Sequence, residues 1–245
     1  MLVKKIFCII SCVIHGLFAY CQMKANDVYK FPIKQGTEEW WQFETIEKRI
    51  VALQMPDTVL VKISTEGLLV TCLDFPYLIS VLFGDNAQHG FEALMDKFNG
   101  FRELFKRLDL TDVLLEKYKS LIVDFNDIQL LKDVEQGRFT FRHFVLEFMF
   151  AQDAVLKNLS FEQEKQLFTL SFEHKRMKQN YSNIFSNLND MSTNLLYAKK
   201  IMNDSDFKFE NAEMKKALSD FIKKPVVIDQ RTVGFIEDYI NVKYK

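Results

Sequence analysis

The sequence predicts an all-α fold, on three observations. Breakers are scarce: the chain has four Pro and eight Gly in 245 residues, and no proline lies between Pro76 and Pro225. Apolar residues recur at three- and four-residue spacing along most of the chain, as amphipathic helices require. Twenty-four Phe and 14% aromatics supply a core without many strands, at about 25 cal/mol per Å² buried. Frequent tight turns, the mark of a sandwich or barrel, are missing from the pattern. The expected architecture is a multi-helix orthogonal bundle or an irregular α-solenoid, with a long helix or helical hairpin in the second half.

Residues 1–21 read as a secretory signal peptide. Lys4 and Lys5 form its basic start, Ile6–Tyr20 its apolar run, and Ala19 and Cys21 an Ala-x-Ala-like cleavage site. Cleavage there removes Cys8, Cys12 and Cys21 and takes the net charge from −1 to −3, since two lysines and no acid are lost. The expected location is secreted or periplasmic. The alternative is a membrane-anchored lipoprotein through the lipobox-like Ile9-Ile10-Ser11-Cys12. No later apolar run is long enough to cross a bilayer. A near-neutral chain offers no general attraction to nucleic acid. The eight basic residues of Asp204–Lys245 are balanced by eight acidic ones. Cys72, left alone in the mature chain within Leu68–Leu73, is expected to be a buried, inert thiol.

Residues 22–36 form a polar lead-in, and 37–245 a helical domain with a possible subdomain boundary at about 123–140. Thr37 caps a helix through Trp40, Phe43, Ile46, Ile50 and Leu53, with Glu38 and Glu39 in its first turn. Pro56 and Pro76 suit first helical turns. Ser64 or Thr65 caps Leu68–Leu73, and Asp85 caps a helix with the stripe Phe91, Leu94, Met95 and Phe98. Asn99-Gly100 reads as a C-cap or turn before Phe101, Leu104, Phe105 and Leu108. Thr111 opens a helix through Leu114, Leu115, Tyr118 and Leu121. Phe141, Phe144, Val145, Phe148, Gln152, Val155 and Leu156 make an aromatic helix.

Ser160 with Gln163 matches a capping box. It opens the longest periodic signal: Leu167, Leu170, His174, Met177, Tyr181, Ile184, Leu188, Met191, Leu195, Ala198 and Met202. These steps alternate three and four, which is heptad spacing and marks a candidate interaction seam. Unbroken, Ser160–Asn203 is a helix of about 44 residues and roughly 66 Å. The Asn/Ser-rich stretch Asn180–Asn194 argues for a break near Asn187–Asp190 and a hairpin. Long continuous structure is the favoured expectation. Met214, Ala217, Leu218 and Phe221, then Val233, Ile236 and Ile240, mark two final helices on either side of Pro225 and Val226–Ile228.

Catalytic patterns are sparse. His143 and Glu147, one helical turn apart, are candidate metal ligands, as are Asp85 and His89, but neither pair has the third ligand a site needs. An ion pair is the simpler explanation of each. His174 in the apolar seam suggests a pH-sensitive core residue rather than a ligand, and a hydrogen-bonded core or partly exposed histidine is the favoured reading. Trp40-Trp41 suggest a sugar-stacking platform, but adjacent helical positions diverge, so one belongs in the core and one at the rim. No phosphate loop, nucleophile elbow or Cys-x-x-Cys is present, and no cofactor is expected.

The blocks Pro32-Ile33-Lys34-Gln35-Gly36-Thr37-Glu38-Glu39-Trp40 and Ser64–Pro76, with Gly90-Phe91, Phe98-Asn99-Gly100 and Leu114–Tyr118, resemble a group of exported helical proteins of Gram-negative gut bacteria. The resemblance spans about Pro32 to Tyr118. It implies export and a helical fold, and carries over no activity. The expected function is a non-enzymatic interaction or scaffold protein of the cell envelope, with an unknown protein partner or a second copy of itself. The alternative is an exported hydrolase or glycan-binding protein with a site built from scattered residues. Attachment to a membrane surface through the Lys-containing C-terminal helices is a third reading.

Overall fold

The computed structural model describes residues 27–83, 85–128, 130, 132–185, 187–205, 207–209, 212–225 and 229–244, without the side chains of 123–128, 187 and 188. The signal segment, the Leu188 side chain and Val226–Ile228 lie outside the described residues. All regular structure among them is helical: thirteen α-helices, α1–α13, and a 3-10 helix at Leu78–Phe83. No described helix is long and apolar enough to cross a membrane. The chain divides into two compact units, one of residues up to Leu78 plus Met95–Leu104, the other of Ile79–Leu94 plus Phe105–Lys245. The stretch 123–140 falls inside the second.

The first unit holds α1 (Glu38–Gln42), α2 (Ile46–Ala52), α3 (Asp57–Leu60), α4 (Thr65–Leu73) and α6 (Asn99–Leu104). Thr37 caps α1 as expected, accepting from the Trp40 amide. The helix ends at Gln42, because Thr45 caps a separate α2 by accepting from the Lys48 amide. Ser64, not Thr65, caps α4. The lead-in docks here: the Asp27 carboxylate accepts from the Ser64 amide and hydroxyl, and the Tyr29 amide donates to Thr71 Oγ1. A Cβ on Gly67 would lie 2.2 Å from Asp27 Oδ1, so glycine makes room for this contact. Phe31, Phe75 and Phe98 cluster above it, the last two stacked at 4.3 Å.

Asn99-Gly100 is not a turn. Asn99 opens α6, and its side chain accepts from the Met55 amide and donates to the Met55 carbonyl at 3.0 and 2.8 Å. Cys72 is buried, and burial pushes its thiol well above the ordinary range.

The second unit contains most of α5 (Ala87–Lys97), then α7 (Leu110–Ile128), α8 (Asp133–Phe150), α9 (Asp153–Leu156), α10 (Phe161–Asn180), α11 (Asn187–Asn203), α12 (Ala212–Lys223) and α13 (Gln230–Tyr244). Asn86 rather than Asp85 caps α5, accepting from the Gln88 and His89 amides. Gly90 lets α5 cross the 3-10 helix closely: a Cβ there would sit 1.9 Å from the Val81 carbonyl oxygen. Leu108, expected on an apolar stripe, is fully exposed because α6 ends at Leu104. The aromatic helix also stops early, at Phe150, and Gln152 starts the short α9.

Ser160 and Gln163 form the full capping box at the head of α10. The long-helix expectation fails after Asn180. Tyr181 leaves helical geometry, and the chain folds back into α11, making a hairpin. Few of the residues at this turn are strong helix formers, and it lies several residues before the expected break. In the bundle, α8 packs on α7 and α11, α10 on α7 and α11, and α12 and α13 cover α11.

Candidate functional site

Four helices converge on one polar cluster in the second unit. Tyr118 comes from α7. Thr140, His143 and Glu147 come from α8, Ser171, His174 and Lys178 from α10, and Asn189, Ser192, Thr193 and Tyr197 from α11. The histidines and their charged neighbours sit four apart on both α8 and α10, which places each pair on one helix face. His143, Glu147 and His174 are 0% exposed and Lys178 is 2%.

Glu147 and Lys178 form its charged centre. Lys178 Nζ donates to both Glu147 oxygens at 2.8 and 2.7 Å, to the Asn189 carbonyl at 2.9 Å and to Thr193 Oγ1 at 2.7 Å. Glu147 also accepts from Tyr118 OH at 2.7 Å, Ser192 Oγ at 2.5 Å and Thr193 Oγ1 at 3.0 Å. An ion pair out of water persists only when its remaining lone pairs and protons find partners. Here they do. Burial lowers the Lys178 ammonium below the ordinary lysine range, partly offset by the Glu147 carboxylate. Burial, reinforced by that carboxylate, pushes the Tyr118 phenol well upward.

Beside this pair runs a histidine chain. His143 Nε2 and His174 Nδ1 are 2.7 Å apart, and His174 Nε2 lies 3.0 Å from the Tyr118 carbonyl. The Tyr118 ring stacks on His174 at 3.9 Å. Burial holds both imidazoles well below the ordinary histidine range, helped by the Lys178 charge at His143 and by His143 at His174.

The chemistry of this cluster is inward. Ser192 Oγ donates to Glu147 and reaches the Asn189 carbonyl, so it is not paired with a histidine as an activated nucleophile would be. His143 Nδ1 and Glu147 Oε1, the candidate metal pair for which an ion pair is the simpler explanation, stand 3.7 Å apart. The Lys178 ammonium lies on both oxygens of that carboxylate and occupies a cation's place. No group of three His, Cys, Asp or Glu that could hold a metal is found among the described residues. Asp85 and His89 do not pair either; His89 Nδ1 is 3.3 Å from Asn86 Nδ2.

The seam residues separate. Leu167, Leu170, His174 and Leu195 are buried within the bundle, Met177, Tyr181, Ile184 and Met191 are half-buried, and the hairpin turn divides them between two helices. The tryptophans diverge as expected. Trp40 is 3% exposed and packs on Tyr77, while Trp41 is 67% exposed. The Arg49 guanidinium stands 5.3 Å from the Trp40 ring and 5.5 Å from Trp41, and donates to the Trp40 and Phe43 carbonyls.

Comparison with family models, with curated proteins and with solved structures finds no match.

Lys178, Ser192, Thr193 and Tyr118 are not legible as a site from spacing alone. One signal was present: Glu147 interrupts Phe144-Val145-Leu146 and Phe148-Met149-Phe150, and a carboxylate inside such an apolar run requires a buried partner.

Proposed function

We propose that this is a non-enzymatic interaction or scaffold protein of the cell envelope, exported by its N-terminal segment. The observation that carries the reading is Trp41. It is a large aromatic side chain held outside the core, braced by a guanidinium that two backbone carbonyls fix in place. Tryptophan and arginine dominate binding energy at protein interfaces, and a braced ring loses little entropy on contact. The polar core supports the same reading, because Glu147, Lys178, Ser192 and Thr193 spend their donors and acceptors on one another.

The test is capture from the cell envelope by chemical cross-linking, with wild-type protein and W41A side by side. Saturable capture that falls at least about tenfold in W41A supports the proposal, since a central Trp anchor contributes about 2 kcal/mol or more. Equal capture by both proteins removes Trp41 from the reading. Light scattering on the purified protein separates self-association from a different partner. Glycan binding through the same indole face is the second reading. It is favoured instead if envelope oligosaccharides quench Trp41 fluorescence and the cross-linked partner is absent.

A further inference from the structure

The hydrogen bonds of the histidine chain determine where its protons are. The Tyr118 carbonyl can only accept, so His174 carries its proton on Nε2. With both rings uncharged, His174 Nδ1 is bare and accepts from His143, which then carries its own proton on Nε2. That leaves His143 Nδ1 bare. It is fully buried, has no hydrogen-bond partner, and faces Glu147 Oε1 at 3.7 Å, one acceptor against another. The network is closed and neutral: one carboxylate, one ammonium and two uncharged rings.

We propose that His143 and His174 form an acid-release latch: the network clamps the α10–α11 hairpin onto α7 and α8 while the pair is uncharged, and proton uptake by the pair frees the hairpin. A first proton on His174 Nδ1 keeps the link only if the His143 proton moves to Nδ1, toward Glu147 Oε1, and it leaves a net positive charge out of water. A second proton sets two N–H groups against each other across 2.7 Å and breaks the link between α8 and α10. A proton on His143 Nδ1 places a second cation beside Lys178 and gives the buried cluster a net charge. Glu147 offsets that charge only in part, because Lys178 already pairs with both of its oxygens.

The groups around the pair offer no other relief. From α7 comes Tyr118, whose ring centroid is 5.5 Å from that of His143. The hairpin turn contributes Phe185, at 5.7 Å, and α8 itself Phe139, at 6.4 Å. From α10 come Lys178 and, acting on it, Lys175; from α11 come Asp190, which opposes Lys175 at Lys178, and Tyr197, which also feels Glu237 of α13. The same burial that holds both rings below the ordinary histidine range favours the open hairpin in acid.

In an open hairpin the two rings titrate near pH 6.5, so acidification from pH 7.5 to 5.0 multiplies the opening constant by about 30 for each histidine and up to about 10³ for both. Hydrogen exchange by mass spectrometry, corrected for intrinsic rates, reads this in peptides from 161–203. Wild-type protein and the H89Q control are expected to show a rise of at least about 30-fold, and H143Q/H174Q less than about threefold, because glutamine does not titrate. The proposal is overturned if wild-type exchange is insensitive to pH, or if the double variant responds as wild type does. If H143Q/H174Q does not fold at pH 7.5, side-chain NMR of wild-type histidines decides. Both rings staying neutral, protonated on Nε2, until the hairpin amides lose protection supports the latch. A ring that titrates near pH 6.5 while those amides stay protected overturns it.

Discussion

Replacing Lys178 by methionine isolates the energetics of the polar core. The change keeps most of the side-chain volume and removes the cation bonded to Glu147, along with donors to the Asn189 carbonyl and Thr193 Oγ1. Glu147 is then left out of water without its counter-charge. The expected loss for K178M is therefore about 3–5 kcal/mol, the usual cost of breaking a buried pair. E147L leaves the ammonium stranded and is expected to cost a similar amount at pH 7.

The double variant E147L/K178M is different. Ser192 and Thr193 hydroxyls keep the Asn189 carbonyl, at 3.0 and 3.1 Å, and the main orphan is Tyr118 OH. One unsatisfied buried hydroxyl costs about 1–3 kcal/mol, so the double variant is expected to be more stable than either single one. Urea denaturation followed by far-UV circular dichroism is the suitable assay, since both tryptophans lie in the first unit and fluorescence would not report the second. A K178M loss below about 1 kcal/mol at pH 7, or a double variant whose loss equals the sum of the singles, refutes the buried-pair reasoning.

Three further outcomes follow from the same geometry. Both histidines are held below their ordinary range in the fold, so the unfolded chain binds protons first; stability is full above about pH 6.5 and falls beneath it, by up to about 2 kcal/mol per histidine at pH 5.0, measured as urea midpoints at each pH. Cys72 is expected to react with an aromatic disulfide reagent only when the first unit opens, so labelling of native protein should track unfolding rather than reagent concentration. G90A is expected to lose about 1–3 kcal/mol through contact with the Val81 carbonyl, whereas G137A and G234A, in open space on α8 and α13, each gain about 0.5–1 kcal/mol in melting experiments.

Helical type and buried face were legible because both depend on local periodicity. Leu114, Tyr118, Phe144, Phe148, Leu167 and Leu195 are all buried where the spacing placed them on inner faces. Local caps were legible at Thr37, Ser64 and Ser160, since each side chain meets an amide only three residues away. The hairpin was less so, for a physical reason: periodicity records which side of a helix is apolar, and both arms of a hairpin must bury one side. The stripe from Leu167 to Met202 therefore runs through the turn without a slip and mimics a single helix. At Tyr181 the composition was the better guide.

Tertiary pairing was the least visible layer. Glu147 and Lys178 are 31 positions apart, and each alone looks like a solvated charge on a helix. Their burial shows only when α8 and α10 are brought together. Yet the four-residue steps from His143 to Glu147 and from His174 to Lys178 are the same. They match histidine to histidine and acid to base across the two helices. That correspondence gives the polar core a role that apolar side chains fill poorly. A leucine layer tolerates sliding of one helix along another, whereas a paired charge with every proton assigned accepts one register. The Phe-rich bundle supplies the stability, and the polar core sets which arrangement of the hairpin is stable. The same pairing explains how proton uptake by the two imidazoles can act on the whole hairpin: it loads the contact that sets the register with charge.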